Sequence, residues 1–377
     1  MLRPTRPDRS RAGGDAPPGA PSPLDEAMLR AYTIERAIDY GCSVDDASTL
    51  RRRAAERGGW VRTAIGLAED DLERGAADAV AGRTHDASAW SLRAAACLRL
   101  AQSALEDDVP ARIDAYRRQR DAFASGMREA ARPADGFDVV FHGAPHRAWW
   151  FVPGRDDAPP SAVIVWGGAD GWCEAFHPSV DAYLRRGLAV CLLELPGQGW
   201  SRLAHGSRLG DDVGAMVAAA FDALVARGAR PGAYGVVGHS MGGTLALAAA
   251  IADPRIVACC TNGGSVALAE GLAGNARVAA RVGAMVGGDA ADALRTIAAL
   301  GLEARIREAR ADVLVLQGGR DPLVPDAHAQ RLLDACRPGQ ATLEYWPEGV
   351  HCLYDRATER NAVLADWFAR TLAASAD

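Results

Sequence analysis

Five short runs between residues 162 and 319 are apolar almost without interruption: AVIVWGG, LAVCLLEL, YGVVGHS, IVACCTNGG and DVLVLQGG. A strand with one wet face alternates apolar and polar residues, whereas a strand covered on both faces reads as a continuous apolar run. Helical segments separate the runs, as the crossovers of a parallel sheet require. The pattern predicts an α/β fold: a mostly parallel central sheet with helices on both faces. ATLEYWPEG is a further, weaker strand, and FDVVFHG with HRAWWFVPG predicts a hairpin around Gly143-Ala-Pro145 ahead of the sheet.

Upstream the period changes. SVDDASTLRRRAAERGG opens with Ser43 and Asp46 at capping-box-like spacing and stops at Gly58-Gly59. Three longer segments, beginning at Trp60, Ala87 and Ala111, repeat apolar residues at helical intervals. The expected organisation is a disordered Pro/Gly/Arg-rich tail over 1–24, a helical cap domain over 25–132, and a catalytic domain over 133–377. A helical stretch over about 262–310 is longer than one crossover needs and is expected to lie over the top of the sheet.

Composition excludes several classes. A formal net charge of −6 gives no electrostatic reason to expect nucleic acid. No window reaches the roughly 18 apolar residues of a spanning helix, so no membrane partner is expected. The basic start lacks an apolar h-region, which argues against a secretory signal and for the cytoplasm. Eight cysteines without CxxC spacing predict neither a disulfide framework nor a zinc site. Cys191, Cys259 and Cys260 lie in strand-like runs and read as small core residues. No cofactor and no metal are expected.

Gly238-His-Ser-Met-Gly242 matches G-x-S-x-G between a strand and a helix, the setting a nucleophile elbow requires. Ser240 is therefore the candidate nucleophile; the alternative is a serine that only caps the following helix. A serine needs a base, and the base needs a group to hold its tautomer. Asp321, after the VLVLQGG run, and His351, after ATLEYWPEG, follow in the order acid then histidine. Read alone, Asp321 could be a turn residue before Pro322, and His351 a loop histidine.

Acyl chemistry also needs backbone donors for the developing oxyanion. The Met241 amide is one candidate, and Gly168 and Ala169 in the loop Gly167-Gly168-Ala169-Asp170 are the others. A carboxylate beside an oxyanion hole would repel charge unless protonated, paired or used. Asp170 is thus either a helix cap or a substrate-binding or proton-handling group. His177 is a candidate substrate contact, whereas His239 is expected to point away from the pocket. His328 is expected near a helix start.

Together these residues resemble the α/β-hydrolase superfamily. Within it the chain is similar to the group that contains 2,6-dihydroxypseudooxynicotine hydrolase and the fungal polyketide-shortening hydrolases of pigment synthesis, with esterase-like relatives. The long helical segment with AWSLRAAACLRLAQ, the GGAD loop, LLELPGQGWSR and EGVHC carry the likeness over about residues 30–370. It implies Ser240, Asp321 and His351 as nucleophile, acid and base, a small-molecule substrate, no cofactor, and often a homodimer. Asp170 stands where the nicotine-pathway member has a glutamate, and His239 where it has an arginine. The implied reaction is cleavage of a carbon–carbon bond beside a ketone. The same triad would also serve an esterase, or a catalyst of acyl elimination or cyclisation. A non-catalytic binding protein would be expected to carry a broken triad, and here all three positions are filled.

Overall fold

The computed structural model describes residues 20–105, 110–130, 132–154, 158–169 and 171–375. Of the tail expected over 1–24, residues 1–19 lie outside the described part. Its last residues are ordered, contrary to expectation. Ser22 caps a helix that starts at Pro23, and the Ser22 and Asp25 side chains and backbones form a reciprocal capping box. Proline at the first helical position and a serine before it are strong start signals, which the Pro-rich composition masks in the sequence.

Among the described residues, six helices precede the sheet: α1 (Pro23–Ala31), α2 (Ile34–Asp39), α3 (Val44–Arg57), α4 (Trp60–Val80), α5 (Thr84–Gln102) and α6 (Pro110–Arg128). Asp25 Oδ1 accepts from the amides of Gly59 (3.1 Å) and Trp60 (2.7 Å), fastening α1 to the start of α4. Burial opposes ionisation of Asp25, but hydrogen bonds from Ser22, Trp60 and Gly59 outweigh it and hold the carboxyl below its ordinary range.

The sheet strands are β1 (Asp135–Phe141), β2 (Ala144–Phe151), β3 (Ala162–Trp166), β4 (Ala189–Leu193), β5 (Tyr234–His239), β6 (Ile256–Asn262), β7 (Asp312–Gly318) and β8 (Ala341–Trp346). Their order is β1-β2-β4-β3-β5-β6-β7-β8. β1 and β2 form the expected antiparallel hairpin, and all strands from β4 to β8 run parallel. His142 and Gly143 turn the hairpin with φ of 48° and 76°, the paired positive values of a two-residue turn.

Every residue of β3, β4 and β5 is buried, so the unbroken apolar runs reflect two covered faces. Val163, Val165, Val237 and Cys260 pack with the N-terminal helices and Phe368. Ile164, Trp166, Val236 and Cys259 face the other way, toward Met216, Phe221 and Leu245. All eight cysteines are buried and free. Between β6 and β7 lie the helices Leu268–Ala273, Ala276–Val286, Ala290–Ala299 and Leu302–Arg305, within the stretch expected to be inserted. No helix among the described residues is long and apolar enough to cross a membrane.

Because β3 neighbours β5 while the chain leaves them toward opposite edges, their carboxyl ends open a crevice, where ligands of such sheets bind. The GGAD loop follows β3, and the Gly238–Gly242 turn follows β5.

Candidate active site

Ser240 sits in that turn at φ 58° and ψ −132°, a left-handed conformation that side chains adopt at a cost of about 1–3 kcal/mol. The turn tolerates it because its neighbours are bare. A Cβ on Gly238 would lie 1.9 Å from the Gly242 carbonyl oxygen, and one on Gly242 would lie 2.5 Å from the Gly167 oxygen. The glycines therefore let the serine turn and the β3 loop touch backbone to backbone. Trp166 adds a tie, its Nε1 donating to Gly242 O at 2.9 Å.

His351 reaches Ser240 from the loop after β8, with Nε2 2.9 Å from Ser240 Oγ. Its Nδ1 lies 2.7 Å from Asp321 Oδ2. A carboxylate only accepts, so Nδ1 carries the proton and Nε2 accepts from the serine hydroxyl. Asp321 is itself fixed, since its Oδ1 accepts from the amides of Leu323 (2.8 Å) and Val324 (3.0 Å). Burial disfavours a charge on His351; the Cys352 sulfur and Asp321 carboxylate outweigh that and raise the imidazole above its ordinary value.

Met241 opens the helix Met241–Ala252, so its amide is one of the unsatisfied donors of a helix start. Gly168 packs against it so closely that a Cβ there would lie 3.0 Å from the Met241 nitrogen and from Ser240 Cβ. Gly168 and Ala169 both line the cavity above Ser240. The structure thus brings Ser240, Asp321, His351, Met241, Gly168 and Ala169 together. Asp170 lies outside the described residues. His177 is brought elsewhere: its ring packs between Phe123 (5.6 Å) and Phe151 (5.7 Å) and does not line the cavity. Burial and then the charge of Arg99 lower it to about 4. His328, in the first turn of the helix Asp326–Ala335, bonds Ser265.

Three features escape a reading of the sequence. The first is the work of LPGQG. Gln198 Nε2 donates to the carbonyls of both Gly167 (2.8 Å) and Gly168 (2.9 Å), and its Oε1 accepts from Leu195 N at 2.9 Å. One buried amide thereby fixes the oxyanion loop. Gly199 lies where a Cβ would meet Glu194 Oε2 at 2.0 Å and the Tyr116 hydroxyl at 2.3 Å, so α6 closes directly onto this motif. Burial, with the charge of Glu174 adding to it, pushes Glu194 up to about 7 despite amide donors from Ser201 and Trp200.

The second is a buried ion pair that binds the helical segment to the loop carrying His351. Arg360 Nη1 and Nη2 donate to Asp39 Oδ2 (2.9 Å) and Oδ1 (2.8 Å), and Nη1 also donates to Cys352 O at 3.0 Å. Cys352, at φ 55°, is held in a strained conformation directly after the histidine. The third is His239, which lines the cavity rather than pointing away from it.

The cavity has a volume of about 560 Å³. Its floor is Ser240, His351 and the β3 loop; its walls come from α1 and α2, from Ser103, and from Asn275, Arg277, Val278 and Arg281 of the inserted helices. Tyr32, Tyr40, Trp172, Phe176 and Tyr354 make one side strongly aromatic. Arg36 stacks there over the rings of Tyr32 (4.4 Å), Tyr354 (4.9 Å) and Tyr40 (5.3 Å).

Residues 139–275 match the family described as alpha/beta hydrolase fold. Over 183 residues the chain is 31% identical to 2,6-dihydropseudooxynicotine hydrolase of Paenarthrobacter nicotinovorans, and the match covers 48% of each chain. The chain thus spans about half the length of that relative. A crystal structure of 2,6-dihydroxy-pseudo-oxynicotine hydrolase superposes with a TM-score of 0.80 at 24% identity, covering 91% of this chain and 97% of the other. The structure of AbyA5 superposes with a TM-score of 0.71 at 21% identity, covering 92% and 99%. Both likenesses concern the fold.

Proposed function

We propose that this chain, an α/β-hydrolase-fold protein, is a serine hydrolase that cleaves a carbon–carbon bond beside a carbonyl in a small or medium-sized ketone or polyketide-type substrate. The observation that carries the reading is His351 bridging Ser240 Oγ and Asp321 Oδ2 at 2.9 and 2.7 Å on the floor of a cavity roofed by helices. The aromatic wall supports a planar, conjugated ligand. The carbon–carbon cleavage is supported by the resemblance of the sequence and by the 31% identity to 2,6-dihydropseudooxynicotine hydrolase.

Ser240 gives its proton to His351 as its oxygen adds to the carbonyl carbon. The amides of Met241 and of Gly168 or Ala169 take the negative charge that forms on the oxygen. The adduct collapses by breaking the adjacent carbon–carbon bond, whose electron pair leaves on the carbon as an enolate. Imidazolium His351 supplies the proton that this carbon needs; Asp170 is the second group proposed to handle that proton. Water, deprotonated by His351, then frees the acid from Ser240.

Product analysis with a β-diketone and an ester of the same shape, on wild type, Ser240→Ala and Asp170→Asn, tests the reading. Cleavage of the diketone to an acid and a ketone, lost in Ser240→Ala, is the expected result. Turnover of the ester alone overturns carbon–carbon cleavage and leaves an esterase, and unchanged turnover in Ser240→Ala overturns the mechanism.

A further inference from the structure

His239 precedes the nucleophile, borders the cavity and takes no part in the steps above. Its neighbour across the β5–β6 register is Asn262. Asn262 Nδ2 lies 3.0 Å from Cys352 O and 2.9 Å from His239 Nδ1. A carbonyl oxygen only accepts, so the amide of Asn262 must turn its nitrogen toward Cys352; the opposite orientation would set two acceptors face to face. One hydrogen of that nitrogen goes to Cys352 O and the other to His239 Nδ1. Nδ1 is therefore an acceptor, and the single proton of a neutral ring sits on Nε2. Burial first, then the charge of Arg360, keep the ring neutral by lowering its pKa well below the ordinary value. Stacking on Phe176, with centroids 4.4 Å apart and planes at 15°, fixes its orientation. Nε2 has no hydrogen-bond partner among the described residues.

A neutral, rigid donor beside the nucleophile suits one task in particular. Breaking a carbon–carbon bond between two carbonyls sends the electron pair onto the leaving carbon and from there onto the second oxygen. The amides of Met241, Gly168 and Ala169 serve the oxygen of the carbonyl under attack and cannot also hold the second one. We propose that His239 Nε2–H donates to the second carbonyl oxygen of a 1,3-dicarbonyl substrate and stabilises the enolate that forms there. This rests on Ser240 acting as proposed above. The Ser240 Oγ–carbon bond forms as its proton moves to His351, and the carbon–carbon bond breaks with its pair delocalised onto the oxygen held by His239. His351 then returns the proton to the leaving carbon, and water hydrolyses the ester left on Ser240. An ester substrate lacks the second oxygen and draws no such help.

The test compares benzoylacetone with benzyl acetate, which has the same shape but no second carbonyl. For His239→Phe, which keeps the stacked ring and loses the donor, the ratio of kcat/KM for diketone over ester is expected to fall by at least about tenfold, mainly in kcat. His239→Gln, whose amide can accept from Asn262 and still donate into the cavity, is expected to restore part of that ratio. An unchanged ratio, including an equal loss on both substrates, overturns the inference and leaves His239 as packing. A wild-type enzyme that turns over only the ester removes the reading beneath it instead, a result distinguishable from the others because it appears before any His239 variant is made.

Discussion

The Asp39–Arg360 pair is a buried ion pair that joins α2 to the helix after His351 and, through Cys352 O, to the loop that carries the base. Both side chains are almost completely buried, at 5% and 1% exposure, and the contact is bidentate. Burial opposes the charge on Arg360, and Asp39 outweighs it to raise the guanidinium further above its ordinary value. Asp39→Ala removes the only carboxylate among the described residues that contacts a guanidinium left with Cys352 O and Asn361 Oδ1. Stranding one partner of a buried pair costs about 3–5 kcal/mol. At about 2.1 cal/mol/K per residue, 377 residues unfold with an entropy of about 0.8 kcal/mol/K, so Tm should fall by about 4–6 °C. Pairing Asp39→Ala with Arg360→Met should recover at least about 2 kcal/mol, since no charge is then stranded. Urea unfolding of the single and double variants, followed by near-ultraviolet circular dichroism, gives the coupling energy. A cost below about 1 kcal/mol for Asp39→Ala, or additive costs in the double variant, would refute the claim that this pair holds the base loop against the helices.

Other changes probe the parts separately. Gln198→Met keeps the volume but leaves the Gly167 and Gly168 carbonyls without their shared donor; steady-state kinetics should show kcat down by about 10- to 100-fold with a smaller change in KM. Gly242→Ala would place a methyl 2.5 Å from Gly167 O, so the serine turn and the oxyanion loop must separate; soluble protein with full activity would contradict the packing described. Asp25 has a folded pKa below its ordinary 3.8, so its contribution is present above that value and is lost as pH falls through the folded pKa. Asp25→Asn should therefore be less stable than wild type by about 1 kcal/mol at pH 6, with the gap closing toward pH 3 in denaturant titrations.

Much of the fold was legible because it depends on local signals. Continuous apolar runs mark strands covered on both faces, and the structure puts alternate residues of AVIVW on opposite cores. The serine turn was legible for a similar reason: Gly238 and Gly242 are dictated by a backbone approach that only glycine allows. The residues gathered with Ser240 from beyond β7 and β8 could be ordered in advance because each follows the end of a strand in one sheet. What stayed hidden depends on pairings between distant positions. Asp39 and Arg360 are 321 residues apart, and nothing in either neighbourhood announces the other. Gln198 stands between two glycines of LPGQG, and only the fold shows its amide reaching two carbonyls of another loop. His177 was expected near the pocket because it follows the oxyanion loop closely. A 3₁₀ turn over Cys173–Ser179 carries its ring to Phe123 and Phe151 instead. The tail boundary failed by a few residues because proline reads as a breaker by composition and as a helix starter by position.

The central claim is that Ser240 is a nucleophile activated by His351. Intact-protein and peptide mass spectrometry after reaction with an alkyl fluorophosphonate tests it directly. A single phosphonyl adduct is expected on the peptide carrying Ser240, absent in Ser240→Ala and slowed at least about a hundredfold in His351→Ala. No adduct in the wild type, or an adduct that persists in Ser240→Ala, would contradict it.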